Sequence, residues 1–148
     1  MILCDTGFRI AEFLELTRFG YDETNQTLTG GNKTDAGRNR VIPINPKIAQ
    51  YVKTWANKNG QTFICKTNGT PYSIKYFREK CYAPVLVSIG VRSLTPHSCR
   101  HTFASLLHKS GADTVNIQHL MGHTDYALTA NIYTHVDLDQ LKTAISVL

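Results

Sequence analysis

A chain of 148 residues with 42% hydrophobic and 18% charged side chains can close one core; it is too short for two comfortable domains and too apolar to be disordered. Lys and Arg outnumber Asp and Glu by 16 to 11, and the resulting charge of +5 leans toward a polyanionic partner. No apolar run approaches the ~18 residues of a membrane span and no charged-then-apolar leader opens the chain, so a soluble cytoplasmic protein with no membrane partner is expected.

Apolar residues at Ile10, Phe13, Leu14 and Leu16 recur at helical spacing and predict a helix starting near Asp5 or Thr6. Arg9 and Glu12 are three apart on it, the spacing of a surface ion pair. Residues 17–44 read as antiparallel sheet. A short strand is expected over 18–21, a turn over 22–25, and a hairpin pairing 27–33 with 38–44 around Asp35-Ala36-Gly37. Asn45-Pro46, a cap followed by a first-turn proline, opens a helix to about Lys58 with Ile48, Val52 and Trp55 on its apolar face. Phe63-Ile64 is a short buried segment and Asn68-Gly69-Thr70-Pro71 a turn. Ser73 then caps a helix that Pro84 interrupts.

Residues 95–135 hold the densest chemistry. Thr95 can cap a helix whose first residue is Pro96, because proline lacks only an N–H that goes unpaired there anyway. His97 and Arg100, three apart, then leave one face near the positive end of that helix, a ready site for a phosphate. Gly111 is a stop, and Asp113 or Thr114 caps a shorter helix that ends at Gly122 and delivers His123 into the next turn. Tyr133 lies on a further amphipathic segment. After Asp137, Leu138, Leu141, Ala144, Ile145 and Leu148 recur at near-helical spacing.

H-x-x-R at His97 and Arg100, L-x-G-H ending at His123, and Y-x-H beginning at Tyr133 resemble the catalytic domain of the tyrosine recombinases, the phage integrase family. The segment from Thr6 to Glu12 (TGFRIAE) resembles that family's first arginine box. Asn32-Lys33-Thr34, followed by RNRVIPI from Arg38 to Ile44, resembles its lysine hairpin. These motifs stand in the family's order. The resemblance implies an α+β fold, mainly helical with a small antiparallel sheet. It implies one catalytic domain over 1–148, with the N-terminal DNA-binding domain and the opening catalytic helix absent, as in a fragment or truncated gene. It further implies a bacterial or phage-encoded, nucleoid-associated enzyme that cuts and rejoins double-stranded DNA through a 3′-phosphotyrosine, with no metal, ATP or other cofactor. Arg9 and Arg100 would hold the scissile phosphate with His123 donating a third hydrogen bond, and Glu12 would support them. Lys33 would protonate the leaving 5′ oxygen, and Tyr133 would be the nucleophile.

The residue types suit that chemistry. Charge spreads over the non-bridging oxygens in phosphoryl transfer, and arginine offers a planar fork that stays charged. A free tyrosine has a pKa of about 10, so Tyr133 needs a base, for which His97 is the candidate, or a positive field. Tyr126 is a rival nucleophile, but the family's spacing from the histidine selects Tyr133. The i, i+4 pairs His97/His101 and His119/His123 have metal-ligand spacing, yet no acid or cysteine completes a set, and His135 flanks the nucleophile. Cys4, Cys65, Cys81 and Cys99 show no C-x-x-C spacing and read as reduced thiols, with Cys99 a small core residue. Lys47, Lys53 and Lys58 are solvated or touch DNA phosphates; Tyr76, Phe77 and Tyr82 belong to the core or stack on DNA. The tail packs on its own domain or, as the resemblance implies, docks on a neighbouring copy to link a tetramer on DNA. Two other functions compete: a non-catalytic DNA-binding or regulatory remnant of an integrase, and a type IB topoisomerase-like relaxation of DNA.

Overall fold

In the computed structural model, which describes residues 1–31, 38–122 and 138–146, the chain opens with two short helices where one was expected. These are α1 (Ile2–Thr6) and α2 (Ile10–Glu15). Gly7 separates them in a left-handed conformation (φ 63°, ψ 14°), its N–H closing α1 on the Leu3 carbonyl. The break is tertiary in origin. Phe103 lies so close that a Cβ on Gly7 would stand 2.4 Å from its ring. Gly7→Ala is therefore expected to lower stability by about 2–4 kcal/mol, from positive-φ strain and overpacking together, as read by urea denaturation.

The second expectation to change is the strand over 18–21. Arg18–Gly20 is a 3-10 turn, and β1 is only Tyr21–Asp22. The Leu16 carbonyl just before it is taken by the Phe63 N–H at 2.6 Å, which draws the chain away from a longer strand. Asp22 accepts from the Asn25 N–H at 2.9 Å and turns the chain into β2 (Thr27–Gly30), which pairs with β3 (Arg40–Pro43). The sheet is antiparallel in the order β1-β2-β3, with Leu28 opposite Ile42 and Gly30 opposite Arg40. Leu28 and Ile42 are fully buried. Arg40 shares the inward parity of Ile42.

Asn45 caps α3 (Pro46–Ala56) by accepting the Lys47 N–H at 2.9 Å, and Ile48 and Val52 are buried as their spacing requires. Lys53 pairs with Glu23, and the Lys58 ammonium stands 3.7 Å from the centroid of Trp55. Ser73 caps α4 (Ile74–Tyr76), which runs on through a π-helical stretch (Phe77–Tyr82) into α5 (Ala83–Ser88). Pro84 is thus accommodated where an interruption was expected. The Ala83 N–H reaches back five residues to Arg78, and this wider turn leaves room for the ring. Tyr76 is exposed, while Phe77 and Tyr82 pack against the core.

The helix α6 (His97–Lys109) starts without the expected side-chain cap from Thr95. Pro96, already helical in φ and ψ, occupies the cap position, so Thr95 contributes its carbonyl, which accepts from Ser98 N–H and the Tyr82 hydroxyl. Asp113 caps α7 (Thr114–Met121) through the Val115 and Asn116 N–H groups, and Gly122 ends it at φ 58°. The last helix, α8 (Leu138–Ser146), lies against β3 and α7. Its Leu141 and Ile145 are buried, and Asn45 Nδ2 donates to the Ile145 carbonyl at 3.0 Å, so the tail packs on its own domain here. The core that joins these layers contains Phe8, Phe63, Phe103, Leu107 and Leu120. All four cysteines are free thiols, with Cys65 and Cys99 buried. Among the described residues no helix is long and apolar enough to cross a membrane.

Candidate active site

Three pieces of backbone meet at one place: the extended residue ahead of α2, the first turn of α6 and the C-terminal end of α7. The first turn of α6 leaves His97 exposed and turns Arg100 inward to 2% exposure. Arg100 Nη1 donates to the Gly7 carbonyl at 2.6 Å, and its Nη2 donates to the Met121 carbonyl. Arg9 reaches the same end of α7 from the start of α2. Its Nη2 reaches the Gly122 carbonyl at 3.4 Å, and its Nη1 the Glu12 carboxylate at 2.8 Å. The two guanidiniums therefore hold successive carbonyls at the end of α7. Such carbonyls have no helical partner and carry the negative end of the helix dipole, which favours cations there.

Glu12 is no surface residue. It is 1% exposed, and its two oxygens take the Arg9 N–H (2.9 Å), Arg9 Nη1 (2.8 Å) and Arg40 Nη2 (2.8 Å). The bond to the Arg9 N–H closes the start of α2 as a capping box. Burial pushes the Glu12 carboxyl up, but the bond and charge of Arg40, with those of Arg9, outweigh it and hold the group below the ordinary glutamate range. Arg100 is brought down to about 10 by burial and by the charges of Arg9 and Arg40, so it stays cationic at neutral pH. Desolvation, then the neighbouring His101, Arg100 and Arg9, lower His97, which favours a neutral imidazole able to take a proton.

Because the folded-state pKa of Glu12 is depressed, its stabilising contribution is fully present above the pKa of an unfolded glutamate. It disappears as pH falls through the folded value. Glu12→Gln is expected to lower stability by about 2–3 kcal/mol at neutral pH and to flatten the acid limb of the stability curve, measured by urea denaturation at a series of pH values. An unchanged acid limb would show that Glu12 is not the group protonated there.

Arg9, Glu12, His97 and Arg100 are thus gathered around the end of α7. Lys33, His123 and Tyr133 lie outside the described residues, as do Tyr126 and His135. Arg40 belongs to the cluster and was missed as a site residue. A sequence signal for it exists: Arg40, Ile42 and Ile44 alternate toward the core, and a buried arginine requires an acid. The imidazoles of His97 and His101 meet edge to face at 4.7 Å. Among the described residues, no three of His, Cys, Asp and Glu gather closely enough to hold a metal ion.

A profile described as "Phage integrase family" matches residues 1–140. Tyrosine recombinase XerD of Staphylococcus saprophyticus is 27% identical over 152 residues, covering 95% of this chain and 50% of that protein. The solved integrase from mycobacterium phage Brujita shares the fold with a TM-score of 0.78 at 19% identity, over 99% of this chain and 49% of its own. The Tn1549 transposon integrase, solved in complex with circular intermediate DNA, gives a TM-score of 0.69 at 25% identity, over 96% of this chain and 54% of its own. The chain spans about half the length of the curated relatives it matches.

Proposed function

We propose that this chain, which belongs to the phage integrase family, is the strand-cutting and rejoining domain of a site-specific DNA recombinase. The observation that carries this reading is the meeting of Arg9 and Arg100 on the carbonyls of Met121 and Gly122, with His97 exposed beside them. Two guanidiniums held by backbone form a preorganised positive site, which suits a phosphodiester as its charge builds in the transition state. Relatives solved in complex with DNA support DNA as the partner.

In the proposed reaction, the Tyr133 phenol oxygen attacks the scissile phosphorus while His97 takes its proton. The phosphorus–O5′ bond breaks, and Lys33 protonates the departing 5′ oxygen. Arg9, with its side chain 27% exposed, meets the non-bridging oxygens from the solvent side. Arg100 supplies a fixed charge from beneath, with His123 as a third donor, and Glu12 keeps Arg9 in place. The product is a 3′-phosphotyrosyl bond and a free 5′ hydroxyl. Attack by a 5′ hydroxyl reverses the step and releases the phenol. The phosphodiester's energy is conserved in the protein–DNA bond, so the cycle needs no ATP, and arginines supply the positive charge that a metal provides elsewhere. In the assembled complex, we propose that α8 leaves its own core and docks on a neighbouring copy, linking a tetramer on DNA in the bacterial or phage-infected cytoplasm, at the nucleoid.

The test is a nicked suicide duplex of the recombination site, incubated with the chain in EDTA without ATP and run on a denaturing gel. A covalent band supports the reading. A band that appears only when an N-terminal DNA-binding domain is joined to the chain supports the chemistry and assigns the affinity to that domain. No band in either case favours the non-catalytic remnant. Relaxation of supercoiled DNA lacking the site favours the topoisomerase-like alternative.

A further inference from the structure

We infer that Arg40 is a positioning residue, which grips Glu12 from the sheet so that this carboxylate aims Arg9 at the phosphate. The inference rests on the recombinase reading above and extends its machinery by one residue.

Arg40 is 3% exposed, and one of its three guanidinium nitrogens, Nη2, is bonded, to Glu12 Oε2 at 2.8 Å. Among the described residues, Nε and Nη1 are buried with no hydrogen-bond partner. The guanidinium lies 4.7 Å from the centroid of Phe8, stacked where the ring's face meets the cation. A buried arginine with two unused donors is a poor stabiliser, because an apolar side chain of the same volume would avoid the unmet desolvation. Its one bond, however, is placed to matter. The carboxylate is held from two sides, by β3 through Arg40 and by the start of α2 through Arg9. Arg9 in turn touches the end of α7. Arg40 itself is fixed by its pairing with Gly30, where the absence of a Cβ leaves space for Leu16 and Phe8. The sheet thereby becomes a rigid backstop for a side chain that is itself part-exposed. The charged groups around Glu12 are Arg9 ahead of α2, Arg40 on β3 and Arg100 on α6, and His119 on α7 feels Arg40.

Two variants separate positioning from support of the fold. Arg40→Met keeps the volume and removes the charge, leaving burial to dominate at Glu12. Arg40→Lys keeps the charge without the fork. Single-turnover adduct formation on saturating nicked duplex is followed between about pH 6 and pH 8, and the Glu12 carboxyl is titrated by carbon-13 NMR in the same proteins. R40M is expected to be about tenfold slower at the acid end, to recover as pH rises and to bind DNA within about threefold of the native chain. Its Glu12 should titrate above the ordinary glutamate range, and R40K should restore most of the rate and the titration. A rate reduced by the same factor at every pH, with Glu12 titrating as in the native chain, overturns the inference while leaving the recombinase reading intact. A native chain that forms no adduct, even when joined to an N-terminal DNA-binding domain, overturns that reading instead. The NMR titration then decides the Arg40–Glu12 grip by itself, and an unmoved Glu12 in R40M overturns it.

Discussion

Tyr133→Phe is expected to abolish the covalent protein–DNA adduct, and Tyr126→Phe to leave it. Phenylalanine keeps the ring and its packing but has no oxygen to attack phosphorus, so the loss should exceed about 10⁴-fold, beyond detection on a gel. The distinction between the tyrosines rests on spacing. Tyr126 follows His123 by three residues and Tyr133 by ten, and the family places its nucleophile at the longer distance. DNA binding by Tyr133→Phe should be unchanged in a gel shift, because the proposed phosphate contacts come from the arginines. An adduct that survives in Tyr133→Phe and vanishes in Tyr126→Phe would move the nucleophile to Tyr126.

Arg100→Lys comes next in size, with an expected loss of about 10³ in single-turnover cleavage, equivalent to about 4 kcal/mol of transition-state stabilisation. The guanidinium bridges two carbonyls from different parts of the chain, Gly7 and Met121. One ammonium cannot keep both bonds and still present N–H groups to a phosphate. A lysine at a site that lowers even arginine to about 10 would also give up its proton far more readily. The rate at saturating DNA and the rate at limiting DNA should fall together, the signature of an interaction made in the transition state. A rate that holds at saturation while binding weakens would mean Arg100 serves ground-state affinity only.

Local signals in this chain were legible because their causes are local. Asn45, Asp113 and Gly122 each begin or end a helix through bonds to residues two to four positions away, and each does so where the sequence places it. The misses have distant causes. The split of the first helix depends on the ring of Phe103, almost a hundred residues further on, and the missing strand at 18–21 on Phe63. The same holds within the cluster. The spacing of Arg9 and Glu12 is an ion-pair signal, but only the sheet register brings Arg40 behind them and turns a surface pair into a buried network. Arg9, Glu12, His97 and Arg100 could be named from motif boxes. The anchor that the two arginines share at the end of α7 could not, because carbonyl groups leave no mark in a sequence.

The seating of α8 on its own core sets a limit on distance. Gly122 is tied to Arg9, and Leu141 and Ile145 are buried, so the fifteen residues between Gly122 and Leu138 run between two fixed points. Even fully drawn out, a stretch of that length pinned at both ends carries none of its residues more than about 25–30 Å from the nearer anchor. In the reaction proposed above, a tether of that length gives the attacking tyrosine a high effective concentration, of millimolar order, at a phosphate held by its own subunit. Undocking α8 frees one end of the tether and lowers that concentration, so in the proposed assembly the hold of Leu141 and Ile145 would govern how strongly each copy favours its own phosphate over a neighbour's.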